Sequence, residues 1–370
     1  MRPASRPLTL HRLKVPLREP YHLSFGPVLW FDTLLVEVAD AEGGPAFGEA
    51  TVLTGYTEET IDDAWATAQL FAARLAREPG NARELVRQLA ATHPFTATAF
   101  GTAFDMLAHH PLLAPRRAVR VPIVGLLHAR DEAAMERAID ELAASGYRTL
   151  KLKVGFEVDE DIAFVRAAQR LSRGRVQLRI DANQGYDVSS ARRFVTAVTP
   201  EHIELFEQPC AAGDWDAHMA VAAVSQLPLM LDESIYGVAD IERAAESKAA
   251  AFIKVKLMKL ATLDRLAAAI ARIRELGMQP VLGNGVACDV GCWMEACVAA
   301  ELIDNAGEMN GYLKACGTLL REPPAYRDGA IELAADYRPA LDREAVDRYT
   351  VARWQGTASL TRRLAEENTP

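Results

Sequence analysis

The 370-residue sequence predicts a parallel α/β barrel of the TIM type behind a smaller α+β domain. Three observations predict it. After Pro115, short apolar runs alternate with amphipathic stretches through eight units spaced about 25 residues apart, as a sheet closed on itself requires. Before Pro115 the order is strands first and helices second. No glycine-rich dinucleotide loop follows any early strand, which places a doubly wound open sheet second.

From Leu8 to Glu49, L-T-L-H-R-L-K-V-P-L and T-L-L-V-E-V-A-D alternate or run β-branched, and the second ends in the turn-forming E-G-G-P. Thr57-Glu58-Glu59-Thr60 reads as a helix start, with helical apolar spacing through Ala76. A second helix fits Ala82–Ala91, and a third, Ala97–His109, is rich enough in small residues to be buried. Residues 1–115 thus read as an α+β capping domain.

The barrel domain, 116–320, opens with V-P-I-V-G-L-L as its first strand and Glu132–Ser145 as a helix closed by Gly146. Y-R-T-L-K-L-K-V precedes a helix at Asp159–Leu171, V-Q-L-R-I-D-A-N one at Ser189–Val198, and I-E-L-F-E-Q-P one at Trp215–Val224. L-P-L-M-L-D-E-S leads to Val238–Glu246, A-F-I-K-V-K-L-M to Leu263–Leu276, and Q-P-V-L-G-N-G to Val290–Leu302. A-G-E-M-N-G-Y-L makes the eighth strand. The tail, 321–370, reads as extended loops returning to the cap, fraying at Glu366–Pro370.

Composition excludes several classes. Lys and Arg total 41 against 50 Asp and Glu, a net charge of −9 without a long basic run, which argues against nucleic-acid or anionic-membrane binding. No apolar stretch approaches the length of a membrane span, and M-R-P-A-S-R-P-L-T-L lacks the apolar core of a signal peptide, so a cytoplasmic protein is expected. The five cysteines include no CxxC pair and suit free thiols in a reducing compartment. Cys288 and Cys292 have no second pair of Cys or His nearby to make a zinc site.

Chemistry is expected at the strand ends, where barrel side chains converge. In order these read Lys151-Leu152-Lys153, Asp181-Ala182-Asn183, Glu207-Gln208-Pro209, Asp232-Glu233-Ser234 and Lys254-Val255-Lys256, one set per repeat. Each acid taken alone suits a helix cap. Three at the barrel period repel one another unless a cation holds them, and an all-oxygen set without His or Cys favours Mg²⁺ ahead of Mn²⁺ or Ca²⁺. Lys153 and Lys256 then flank a substrate held by the ion. A lysine base needs a pKa lowered toward about 7–8, and the cations two residues away, Lys151 and Lys254, are expected to supply part of that shift.

The ordered set K-x-K, D-x-N-Q, E-Q-P, D-E-S and I-K-V-K-L-M-K resembles the enolase superfamily, and within it the muconate lactonizing enzyme subgroup, over nearly the whole chain. The resemblance implies Mg²⁺ on Asp181, Glu207 and Asp232, Lys153 and Lys256 as the acid/base pair, and an enediolate formed by loss of the proton α to a carboxylate. The Lys base with Mg²⁺ is a worked case of pKa tuning for this superfamily. Asn183 would orient ligands, and Lys151 and Lys254 would add positive potential. Cap segments Tyr21–Trp30 and Thr51–Tyr56 would cover the mouth, with Tyr21, His22 and Tyr56 as candidate substrate contacts. A homo-oligomer is implied by resemblance alone.

Departures from the subgroup bear on substrate. Lys259 is followed by Leu260-Ala261-Thr262 instead of glycines, and Asn284 lies in an unusual seventh strand end, G-N-G-V-A-C-D. Where dipeptide epimerases place two acids on the eighth strand to hold an ammonium, this chain has Glu308 and Asn310. Glu308 suits an amine or imine nitrogen of the substrate or, equally, a neighbouring lysine. The expected activity is therefore epimerisation, racemisation or dehydration of a small amino-acid-like carboxylate such as a hydroxyproline or an N-modified amino acid. Dipeptide epimerisation, lactonizing cycloisomerisation and succinylbenzoate-synthase chemistry are alternatives, and a non-catalytic carboxylate-binding barrel is the outside one.

Overall fold

A computed structural model of the protein describes residues 4–23, 26–40, 44–53, 57–78 and 81–360. Its N-terminal part is a four-stranded antiparallel sheet in the order β14-β1-β2-β3, built from β1 (Ala4–Leu23), β2 (Gly26–Val38), β3 (Ala46–Thr51) and, from the far end of the chain, β14 (Thr350–Leu360). Alternation drives it: Leu8, Leu10, Leu13 and Val15 of β1 are buried while Lys14 between them is exposed. Strands β1 and β2 remain paired, after an irregularity, out to Leu23↔Gly26, so the Tyr21–Trp30 segment expected over the mouth carries strand on both its arms.

Against the sheet lie α1 (Ile61–Arg77), α2 (Ala82–Ala90) and α3 (Pro94–Leu107). Thr60 caps α1 by accepting from the Asp63 amide, and Glu59 caps α3 through the Phe95 and Thr96 amides at 2.7 and 2.9 Å. The small residues of α3 permit close approach. A Cβ on Gly48 of β3 would stand 2.5 Å from the Ala103 nitrogen of α3, and one on Gly101 of α3 only 2.1 Å from the Ala261 carbonyl oxygen.

Beyond Pro115 the chain alternates. The strands are β4 (Val119–Pro122), β5 (Gly125–Leu127), β6 (Thr149–Lys153), β7 (Gln177–Asp181), β8 (Ile203–Glu207), β9 (Leu229–Leu231), β10 (Phe252–Val255) and β11 (Gln279–Leu282). The helices are α4 (Glu132–Ala144), α5 (Val158–Ser172), α6 (Val188–Ala197), α7 (Trp215–Ala222), α8 (Val238–Ser247), the single turn α9 (Leu257–Leu260), α10 (Leu263–Glu275) and α11 (Asp289–Leu302). Strands β5 to β11 form one curled parallel sheet in sequence order. Asp131, Asp187, Asp214 and Thr262 cap α4, α6, α7 and α10, each accepting a backbone amide on its side chain.

Two expected strands come out differently. V-P-I-V-G-L-L divides: β4 pairs antiparallel with β13 (Ala330–Leu333), which also pairs with β12 (Ala325–Arg327), and only β5 joins the parallel sheet. Pro122, having no amide hydrogen, falls where the chain changes sheets. The eighth strand is reduced to ladder bonds at two residues. The Gly307 amide donates to Pro122 O at 2.9 Å and its carbonyl accepts from Val124 at 3.0 Å, while the Glu308 amide donates to Leu282 O at 3.2 Å. This segment therefore touches both edges of the sheet before turning into a 3₁₀ turn, Gly311–Lys314. After α12 (Arg343–Tyr349), the expected returning loop is instead strand β14, in register with β1 at Leu10↔Trp354. Glu366–Pro370 lie outside the described residues. Among those described, no helix is long and apolar enough to cross a membrane.

Candidate active site

The parallel register sets the site. Lys153 of β6 lies beside Asp181 of β7, and Asp181 beside Glu207 of β8; Glu207 pairs with Met230 of β9, two residues before Asp232. Period-two geometry puts Lys151 and Lys153 on one face of β6, and Lys256, directly after β10, follows Lys254 at the same spacing. The polar residues named at the strand ends thus meet across five consecutive strands.

Their charges are interlocked. Lys151 Nζ reaches Glu207 at 2.6 Å, Asp181 at 2.8 Å and Glu308 at 3.0 Å. Lys254 Nζ reaches Glu207 at 2.7 Å and Glu308 at 2.8 Å. Nearer the mouth, Lys153 Nζ donates to Asp181 at 2.6 Å and to the Asn183 side-chain oxygen, and Lys256 Nζ donates to Asp232 at 2.8 Å. Lys151 and Lys254 are buried, whereas 38% of the Lys153 side chain remains exposed.

Burial works against the Lys151 ammonium, yet Asp181, Glu207 and Glu308 hold its pKa well above the usual lysine value. Lys153 is raised as well: burial and Lys151 oppose its charge, but Asp181 outweighs them. The neighbouring cation was expected to lower Lys153. Among the protein's own groups the carboxylate stands closer and reverses that shift. The acids divide. Burial opposes ionisation of Asp181, but Lys151 and Lys153 bring it down to about 2, and Lys256 and Lys259 hold Asp232 well below the carboxylate range. Burial and Asp181 push Glu207 up to about 7.

Positioning comes from residues around these. Asn183, Gln184 and Gln208 have φ of 42°, 67° and 39°, left-handed backbone held by non-glycine residues directly after β7 and β8. Asn183 links Lys153 to Glu233, donating to its Oε1 at 2.9 Å. Gln208 staples two strand ends: its Oε1 accepts the Asp232 amide at 2.9 Å, and its Nε2 donates to Ser234 Oγ at 2.8 Å. Lys259, from one turn after β10, donates to the carbonyls of Asp232 and Ile235, each at 2.9 Å. Burial lowers the Lys259 ammonium to about 8. Gln208, Glu233 and Lys259 were visible in E-Q-P, D-E-S and K-L-M-K, but those motifs alone assign them no task.

The structure places the other candidates variously. Tyr21 faces the lysines: burial pushes its hydroxyl up, and Lys153 and Lys151 pull it back. Asn310 accepts from Lys314 Nζ at 3.0 Å. Asn284 is committed to the turn after β11, accepting from the Val286 amide at 3.0 Å and donating to Met258 Sδ at 3.2 Å. His22 lies in β1, though its side chain is outside the description, and Tyr56 is outside the described residues. Glu308 is bound by Lys151 and Lys254, the neighbouring-lysine alternative.

The donor set fits a divalent ion in kind. It offers three buried carboxylates on adjacent strand ends, and Glu233 Oε2 lies buried beside them without a hydrogen-bond partner. Among the described residues no three acidic, histidine or cysteine side chains converge as a ready-made metal cage. The ammonium groups bond the carboxylate oxygens instead, and an ion entering here would replace some of those contacts.

Comparison with known proteins defines the class. Residues 133–339 match the enolase C-terminal domain-like family, and the chain belongs to it. It is 26% identical over 306 residues to N-succinyl-L-Arg/Lys racemase of Bacillus cereus, covering 79% of this chain and 80% of that one. It is 28% identical over 369 residues to muconate cycloisomerase 1-2 of Acinetobacter lwoffii, covering 90% and 92%. Among solved structures, the dipeptide epimerase of Cytophaga hutchinsonii complexed with Mg and D-Ala-L-Val superposes with a TM-score of 0.82 at 21% identity, covering 96% of this chain and all of that one. Within the enolase superfamily the chain falls in the muconate lactonizing enzyme subgroup.

Proposed function

We propose that the protein is a Mg²⁺-dependent racemase or epimerase acting on the proton α to the carboxylate of an amino-acid-like substrate. The observation that carries this is the placement of Lys153 and Lys256 at the ends of β6 and β10, on either side of the acids that end β7 to β9. The fold is read as a closed, modified barrel (116–320) under a cap (1–115) on which the tail from 321 packs. The ladder bonds of Gly307 and Glu308 to both sheet edges support closure.

Asp181, Glu207 and Asp232 would hold Mg²⁺, with Mn²⁺ as a substitute. When bound, the ion supplies positive charge to the substrate carboxylate, where negative charge builds as the α-proton leaves. One lysine, neutral before the step, takes that proton on Nζ. The other donates a proton from the opposite face, and inversion results without oxidation or loss of a group. Asn183 keeps Lys153 aimed, and Gln208 fixes the Asp232 backbone relative to β8. The likeness to N-succinyl-L-Arg/Lys racemase favours this inversion over dehydration. A cytoplasmic homo-oligomer completes the proposal.

Proton exchange tests it. With Mg²⁺ in D₂O, deuterium should enter the α-position of at least one member of a panel of N-acylated amino acids, dipeptides and hydroxyprolines, followed by NMR. Failure across the panel would remove the racemase reading.

A further inference from the structure

The side of the site formed by the segment after Glu308 and by the cap is arranged unlike the lysine–carboxylate side. Lys314 ends the 3₁₀ turn and is half-buried. Its Nζ donates to Gly285 O at 2.9 Å and to Asn310 Oδ1 at 3.0 Å, and stands 4.9 Å from the Tyr21 ring centroid. Both oxygens are neutral. Among the described residues no carboxylate lies within ion-pair distance of Lys314. Burial lowers the Lys314 ammonium to about 8; Glu308 is near enough to favour its charge, but that carboxylate already bonds Lys151 and Lys254. The strand-end ammoniums of Lys151, Lys153, Lys254, Lys256 and Lys259 each have an acid within reach, so Lys314 is a surplus cation at the same mouth.

Three polar atoms surround one point there. A Cβ built on Gly285 would lie 3.4 Å from the Tyr21 hydroxyl, 3.7 Å from Lys314 Nζ and 3.9 Å from Asn310 Oδ1. A substrate ammonium arriving here would meet a cation without a free acid. An anion would complete the Lys314 ammonium with a charge-assisted hydrogen bond and accept from Tyr21.

We propose that Lys314 and Tyr21, with Asn310 Oδ1 holding the lysine in place, form a subsite for a second carboxylate of the substrate, remote from the carboxylate whose α-proton moves. The inference rests on the racemase reading and narrows its substrate class to dianionic amino-acid derivatives. The second carboxylate comes either from a dicarboxylic N-acyl group or from an acidic side chain.

Calorimetric titration of the Mg²⁺-loaded protein separates these sources and does not require turnover. One pair is N-succinylglycine against N-butanoylglycine, and the other N-acetylglutamate against N-acetylglutamine. The dianion of one pair should bind about 30- to 100-fold more tightly than its neutral-ended partner, as expected for a hydrogen bond to a charged group. Lys314→Gln should remove that preference, and Lys314→Arg should retain most of it, which guards against a variant that merely misfolds. Which pair shows the preference identifies the source. Equal binding within both pairs, or a preference that survives Lys314→Gln, would overturn the subsite. Because binding is read directly, absence of α-proton exchange would count against the racemase reading while the Lys314 result still stood or fell by itself.

Discussion

The two sides of the site mouth are built on opposite plans. From β6 to β10 every lysine at a strand end answers an acid on a neighbouring strand, and the regular parallel register fixes who meets whom. From Gly285 through Lys314, and on the arm of β1 that carries Tyr21, the backbone is irregular and the one lysine is met by neutral oxygens. On the proposed reading, the first side holds groups for moving a proton α to a carboxylate. The second, on the same reading, contributes what distinguishes one such substrate from another. A rigid scaffold with regular strand ends for chemistry and irregular segments for selection is how barrel enzymes vary substrate around a constant reaction.

That division can be broken experimentally. Chelating Mg²⁺ should reduce α-proton exchange by about 10³-fold or more for every substrate alike, since the ion serves the shared side. Exchange measured before and after EDTA, with Mg²⁺ added back, checks this, and a loss confined to some substrates would blur the two sides. Lys254→Met should be the costliest single change to stability. It leaves Glu207 and Glu308 each with one lysine fewer in a buried setting, a loss of about 3–5 kcal/mol readable by urea denaturation.

A smaller effect lies outside both sides, where β3 meets α11. Burial, with Asp289 adding to it, pushes the Glu49 carboxyl up from 4.5 to about 8. The folded protein therefore keeps a proton there that the unfolded chain releases, and stability falls as pH rises between those values. Glu49→Gln should leave stability at pH 5 nearly unchanged and raise it at pH 8.5 by about 1–3 kcal/mol. The slope should flatten without vanishing, because Glu295 is also pushed up to about 8 by burial. Thermal melts of both proteins across that range provide the check.

Legibility followed the same division. Asp181, Glu207, Asp232 and the four flanking lysines were readable because a parallel sheet repeats once per βα unit and shows one face every second residue. V-P-I-V-G-L-L looked like one strand because apolar alternation does not reveal that Pro122 sits at a change of sheet. The tail looked like loops since the partner of Trp354 is Leu10, and pairing over that separation leaves no local trace. Lys314 gave no signal at all: it belongs to a 3₁₀ turn, and its neighbours Gly285 and Tyr21 come from distant segments. Asn284 was legible as a polar strand end, but its amide holds a turn.

The central claim is that Lys153 and Lys256 act on opposite faces of one α-carbon. Deuterium incorporation into each enantiomer of an exchanging substrate, measured for the wild type, Lys153→Ala and Lys256→Ala, tests it most directly. Each variant should lose racemisation by at least about 10²-fold, and the two should differ in which enantiomer still exchanges. Exchange at the wild-type rate from both enantiomers in either variant would contradict the account.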